Sequence, residues 1–313
     1  MIQGSKKLLN GILKGLELKN NKAKALILGS SGQLGVEFSN NRDFINLFDA
    51  VFLSRKNVDI TNIDNLELSI KKNKPEYVIN CAAYTNVDKA EVDKDAANAC
   101  NNIAVEYLAK LSNSYSFTLI HFSTDYIFSD ITKKPIKEND PKNPVNFYGY
   151  TKLMGENAIV KNCLKYFIFR ISWVYSVHGN NFPNTIVKLS REKESLNVIS
   201  DQIGAPTPTY FIVSKIVNLL CRQDIALHYG IYNLTPNGST SWYEIANLIY
   251  ASFNNNDQCL LKKIKPIKSS EYITNAKRPS YSVLDGTKYI TTFNEDVCNW
   301  KHYFNNYLNK IKY

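Results

Sequence analysis

Tyr148 and Lys152 stand four residues apart in the stretch NPVNFYGYTKLMGEN (143–157). Positions four apart on a helix share a face, and positions two apart do not. A helix here aims a phenol and an ammonium at one point and turns Tyr150 elsewhere. Such a pair can transfer protons. A phenol ordinarily titrates near pH 10, a poor match to neutral pH, and a cation one turn away favours phenolate and lowers that value. Upstream, LIHFSTDYIF (119–128) reads as a buried strand ending in Ser123, Thr124 and Asp125. A Thr124 hydroxyl there can donate to an oxygen on which negative charge develops. With 20 tyrosines in the chain the Tyr/Lys spacing also arises by chance, so its meaning depends on the elements around it.

Those elements form a regular series. The apolar runs ALILG (25–29), AVFLS (50–54), YVINCAA (77–83), FTLIHFS (117–123) and YFIFRISWVY (166–175) alternate with helix-like stretches at 33–40, 62–72, 91–113 and 147–162. Continuous apolar strands alternating with helices predict an α/β fold, a doubly wound parallel sheet covered on both faces. Its carboxyl edge binds the ligand. After residue 176 the alternation loosens into Pro, Asn and Gly loops such as SDQIGAPTPTY (200–210) and NLTPNGSTSW (233–242). The expected organisation is a nucleotide-binding domain over 23–175 and a smaller, mainly substrate-binding lobe over 176–313, with a segment near 206–235 returning to the first. Residues 1–22 form an extension. Its Leu9, Ile12, Leu13 and Leu16 fall on one helical face, which suits either an amphipathic docking helix or a frayed arm.

The first strand runs into G-x-x-G-x-x-G. Gly29 permits a tight turn, Gly32 lets backbone approach a pyrophosphate, and Gly35 lets helix and strand pack closely. First-turn amides, with Ser31, Gln33 and Leu34 between the glycines, then face the phosphates of a dinucleotide. After the second strand an acid would take the ribose hydroxyls, but Ser54, Arg55 and Lys56 stand there. Arg55 can grip a 2′-phosphate in bidentate fashion, which predicts NADPH. The alternative is a solvated Arg55 stacked on adenine, with NADH also accepted. Asp59 and Ile60 border the adenine, or Asp59 merely forms a turn.

Composition narrows the class. The 313-residue chain carries a formal charge of +10, yet no basic tract is interleaved with stacking aromatics. The excess lysine reads as solvated faces rather than a nucleic-acid surface. No apolar run approaches the roughly 20 residues of a membrane span. Six scattered cysteines without C-x-x-C read as free thiols in a reducing, cytoplasmic compartment, and four histidines outside ligand spacing argue against a zinc site.

A strand-end hydroxyl with Tyr-x-x-x-Lys, on a sheet opened by Gly29-x-x-Gly32-x-x-Gly35, resembles the extended short-chain dehydrogenase/reductases. NCAAYTNVDKAE (80–91), STDYIF (123–128), NPVNFYGYTKLMGE (143–156), FRISWVYS (169–176), GNNF (179–182), VISDQIGAPT (198–207) and RPSYSVLD (278–285) resemble, within them, the dTDP-4-dehydrorhamnose reductase (RmlD) family. The resemblance runs from about residue 23 to 305. It implies NAD(P)H-dependent reduction of a nucleotide-linked 4-keto sugar, with Thr124, Tyr148 and Lys152 as the catalytic trio and Lys152 also bonding the nicotinamide ribose. It implies a water-mediated proton relay at Asn101, against the alternative that Asn101 only mends its helix. Cofactor contacts fall on Gly29, Gln33, Leu34, Ala82, Ala83 and Tyr84. Substrate contacts fall on Thr124, Asp125, Trp173, Asn181, Phe182, Gln202 and Arg278. For Trp173 a core position is an equal contender, and for Arg278 an ion pair between lobes is the alternative. Some family members hold Mg²⁺ at a dimer contact. Glu37 matches one such position, but no ligand set assembles around it. A relative acting on another nucleotide-linked 4-keto-6-deoxysugar, or a non-catalytic regulatory subunit like the β subunit of methionine adenosyltransferase, would share most of these features.

Overall fold

A computed structural model describes residues 22–129, 133–253 and 259–311. The extension with its Leu9–Leu16 stripe lies outside the described residues. Twelve strands appear in chain order: β1 (Lys24–Leu28), β2 (Asp49–Leu53), β3 (Tyr77–Asn80), β4 (Thr118–Thr124), β5 (Tyr166–Ile171), β6 (Val174–Tyr175), β7 (Ser195–Ile199), β8 (Ile203–Gly204), β9 (Thr207–Pro208), β10 (Gly230–Asn233), β11 (Thr240–Ser241) and β12 (Lys263–Ile267). The five runs predicted as strands all contribute to one six-stranded sheet in the order β2-β1-β3-β4-β5-β10. Every pairing in it is parallel.

The apolar runs are continuous because both faces are covered. Alternate β1 residues serve different cores. Ala25 and Ile27 join Phe38, Phe211 and Ile216 on one face. Leu26 and Leu28 join Leu66, Ile70, Leu108 and Ile159 on the other. A third core, made entirely of residues after 174, gathers Tyr175, Ile186, Val198, Ile249, Trp300 and Phe304. Asparagines start the helices that matter: Asn146 and Asn181 accept from the backbone N–H three residues on, at 2.8 and 3.0 Å, satisfying amides that the helix itself leaves free.

Two expectations change. The run 166–175 is not one strand. Trp173 adopts φ +47°, so β5 stops at Ile171 and the chain enters β6, which pairs with β9 rather than with the large sheet. The stretch 91–113 is not one helix either. A short helix (Lys94–Asn98) passes through a π-helical turn (Ala99–Ile103) into a longer helix (Ala104–Tyr115). The turn lies where the helix Phe147–Asn162 crosses: a Cβ on Gly155 would stand 2.2 Å from the Asn101 carbonyl oxygen. Such bulges concentrate at functional sites.

Candidate active site

The connection from β1 leads outward to β2, and that from β2 leads back across β1 to β3. Strand order therefore reverses between β1 and β3, and the crevice at that reversal is where a doubly wound sheet takes its ligand. A cleft of about 470 Å³ opens there. Gly29, Ser31, Gly32, Arg55, Asp59, Ile60, Ala82, Ala83 and Tyr84, all candidate cofactor contacts from the sequence, line it. Val58, Thr61, Cys81, Lys89, Asp93, Ala96, Ala99 and Cys100 also line it. Only the position of Cys81 straight after β3 could have signalled any of these.

The loop fits a dinucleotide phosphate. Gly29 has φ +74°, and a Cβ on it would meet the Ala82 nitrogen at 2.6 Å. A Cβ on Gly35 would meet the Gly29 oxygen at 2.5 Å, whereas one on Gly32 would meet nothing nearer than the Gly29 oxygen at 3.4 Å, an ordinary contact. No side chain caps the helix that follows (Gln33–Asn40), which leaves its first-turn amides for an anion. Three expected contacts do other work. Gln33 accepts from Asn181 at 2.8 Å, Ser54 bonds Asn57, and Leu34 packs against the sheet core. Arg55, its side chain 83% exposed, donates to Asp59 at 2.9 Å. For Asp59 the largest influence is burial, which raises its pKa, but hydrogen bonds from Thr61 and Arg55 outweigh it and hold the carboxyl below its usual range.

At the carboxyl end of β4, Thr124 is paired in register with Ile171. Asn146 starts the facing helix, which brings the Tyr148 phenol beside Thr124. Gly149 makes this approach possible: a Cβ there would stand 2.1 Å from the Tyr126 carbonyl oxygen. Tyr148 lies edge-on to Tyr126, with ring centroids 6.0 Å apart. Tyr150 points out, 45% exposed, against Phe147. Helical phase thus separates the two tyrosines as the spacing requires.

The electrostatics differ from the expectation. Burial pushes the Tyr148 phenol above its ordinary value, Asp125 adds to this, and the neighbouring Thr124 hydroxyl acts in the opposite sense. Lys152 does not lower it here. Its Nζ donates instead to the Phe122 carbonyl at 2.7 Å and sits 3.2 Å from His121 Nε2. Thr124 donates its one proton to Asp125 at 2.9 Å rather than holding it free. Burial raises Asp125 to about 6, against hydrogen bonds from Ser282 and Thr124. Both Asn101 donor and acceptor are committed to the chain: Oδ1 accepts from the Tyr84 N–H, and Nδ2 donates to the Tyr84 carbonyl and to Thr151. The asparagine ties down the β3 loop instead of its own helix.

The expected substrate residues converge on one that sequence reasoning missed. Trp173 and Trp242 are stacked, with centroids 3.4 Å apart and planes 8° apart. Phe182 lies 4.6 Å from Trp242. Gln202 accepts from Trp242 Nε1 at 3.2 Å. Gly204 covers the Trp173 ring so closely that a Cβ there would come within 2.3 Å of it. Stacked on Trp242 and pressed by Gly204, Trp173 is enclosed by its own chain as well as placed near the other expected substrate residues. Arg278 is held by Asp88 at 3.2 and 2.5 Å and bonds Tyr126, so it forms an ion pair between distant segments rather than a free diphosphate ligand. Glu37 accepts from Thr209 at 2.7 Å. Among the described residues no group of three His, Cys, Asp or Glu could hold a metal.

A switch-point cleft, a three-glycine phosphate loop and Tyr-x-x-x-Lys beside a strand-end threonine define an extended short-chain dehydrogenase/reductase. A Thermus thermophilus UDP-glucose 4-epimerase, 15% identical with a TM-score of 0.70 over 86% of this chain and 92% of its own, shares that fold alone. The chain belongs to the RmlD (dTDP-4-dehydrorhamnose reductase) family: residues 23–313 match the family described as RmlD substrate binding domain. The Salmonella typhimurium dTDP-4-dehydrorhamnose reductase is 34% identical over 283 residues, covering 88% of this chain and 94% of the relative. The crystal structure of the Bacillus anthracis dTDP-4-dehydrorhamnose reductase in complex with NADP superposes with a TM-score of 0.86 at 31% identity, over 92% of this chain and 99% of that one. A Clostridium acetobutylicum dTDP-4-dehydrorhamnose reductase gives 0.85 at 34% identity, over 93% and 100%. No described helix is long and apolar enough to cross a membrane.

Proposed function

We propose that this chain reduces the 4-keto group of dTDP-4-dehydro-β-L-rhamnose to give dTDP-L-rhamnose. The observation that carries this is the Tyr148–Thr124 pair, brought together by Gly149 at the sheet's carboxyl edge next to the phosphate cleft. The NADP seen in the Bacillus anthracis relative supports the same reading of the cleft. A nicotinamide cofactor, held by Gly29, Gly32, Ala82 and Ala83, supplies the hydride. Tyr148, which burial keeps protonated at neutral pH, supplies the proton to the substrate oxygen. Thr124, released from Asp125, orients that oxygen. Asn101 positions the Tyr84 loop that borders the cleft. Phe182, Gln202 and the Trp173–Trp242 stack form the wall for the sugar nucleotide. NADPH is preferred and NADH accepted. The Arg55–Asp59 pair is largely exposed and so weakly bound, leaving Arg55 able to turn to a 2′-phosphate and Asp59 to ribose hydroxyls.

A coupled assay tests this. dTDP-4-keto-6-deoxyglucose and a 3,5-epimerase are supplied with NADPH or NADH, and nicotinamide absorbance is followed with wild type and Tyr148→Phe. Turnover by wild type with dTDP-rhamnose as product, lost in the variant, is expected. Cofactor binding without turnover of this substrate would overturn the assignment.

A further inference from the structure

Lys152 is 2% exposed. The acid one turn along its helix is already taken, since Arg170 Nε and Nη2 bond the two Glu156 oxygens at 3.0 and 2.7 Å. Cys100, on the π-helical turn, is the remaining titratable neighbour, and burial pushes its thiol up. What faces Nζ is the Phe122 carbonyl at 2.7 Å and His121 Nε2 at 3.2 Å.

The sense of hydrogen bonding along this row is settled at its far end. The backbone N–H of Ala82 can only donate, and it donates to Asn80 Oδ1 at 3.1 Å. The Asn80 amide nitrogen therefore faces His121 Nδ1 at 3.2 Å and donates to it. A neutral imidazole has one N–H and one lone pair. With Nδ1 accepting, the ring proton lies on Nε2 and points at Lys152. An ammonium has no lone pair to receive it, and an imidazolium would set two cations face to face.

We propose that His121 is a positioning residue that holds Lys152 as a free amine, and that Lys152 takes up a proton from solvent when it turns to the ribose of the nicotinamide cofactor. The second half rests on the cofactor reading given above. Burial shifts both groups in the same direction: it pushes His121 well down, so that the ring stays neutral, and it brings Lys152 down to about 8, which puts the amine within reach of pH just above neutral. The arrangement avoids a buried ammonium with a single oxygen partner, the Phe122 carbonyl, and forms the cation where further oxygen ligands meet it. Ala82, which sets the tautomer, lines the cofactor cleft.

The test has two arms. Long-range ¹H–¹⁵N spectra of the cofactor-free protein report each histidine tautomer, and His121→Gln identifies the His121 signals among four histidines. The expected result is a protonated Nε2 and a bare Nδ1 at neutral pH. A bare Nε2, or an imidazolium, would overturn the proposal. Asn80→Asp, whose carboxylate can only accept, is expected to move the proton to Nδ1. In the second arm, calorimetric titration with NADPH is run at about pH 8, where the 2′-phosphate is fully ionised, in buffers of different ionisation enthalpy. Wild type, in which Lys152 at about 8 is half ionised at this pH, is expected to take up about half a proton per site, and Asn80→Asp and His121→Gln to take up little. Equal uptake in all three also overturns the proposal. Failure of NADPH to bind would count against the cofactor reading, while the tautomer spectra still decide the role of His121.

Discussion

Replacing Tyr148 by Phe deletes one oxygen and keeps the ring against Tyr126. The expected loss in kcat is about 10²–10⁴-fold, the usual worth of a positioned proton donor, with NADPH affinity unchanged in a fluorescence titration. Asp125 offers a pH test. Its folded value of about 6 lies above the ordinary 3.8, so the native state binds more protons than the unfolded chain between those values. Stability from this group is therefore present at low pH and lost as pH rises through about 4 to 6. Asp125→Asn is expected to raise the urea midpoint at pH 7 by an amount corresponding to about 1–3 kcal/mol, an advantage that vanishes near pH 4. Which tyrosine faces inward was legible from spacing alone. The protonation of Asp125 and the partner of Lys152 were not, because burial and contacts to Ser282 and His121 set them, and pattern along the chain carries no trace of either.

At the scale of elements, two glycines decide how closely the helix bearing Tyr148 can approach. A Gly→Ala change inside a helix ordinarily stabilises by up to about 1 kcal/mol. At Gly149 the added carbon would meet the Tyr126 carbonyl at 2.1 Å. Gly149→Ala is therefore expected to lower the thermal midpoint by an amount worth about 1–3 kcal/mol and to lower kcat, both measurable on one preparation. The strands were legible because a parallel sheet buries whole runs. The break at Trp173 was not, since a tryptophan takes φ +47° only where Gly204 and Trp242 clasp its ring. Trp242, in a stretch that reads as a loop, gave no signal without its partner. Trp242→Ala is expected to raise KM for the sugar nucleotide about tenfold with the affinity for NADPH unchanged, as steady-state kinetics and a direct titration would show.

Over the whole molecule, legibility fell where strands became short and their partners distant. β7 and β12 pair in parallel across some 60 residues of intervening chain, and no local period announces such a match. The Arg278–Asp88 pair likewise joins residues 190 positions apart. β10 belongs to this class too. It closes the large sheet against β5 only after the chain has passed through β6 to β9. A chain stopped at Tyr229 is expected to sediment as aggregate, because YFIFRI of β5 would remain an open apolar edge. The full-length chain meets the same situation on the ribosome. At roughly 5–20 residues per second, about 3–12 s separate the synthesis of β5 from that of β10. During those seconds the growing sheet has no lid on one side, so rapid overexpression should draw heavily on holdase chaperones, and slower translation of the 172–230 interval should improve the yield of folded protein.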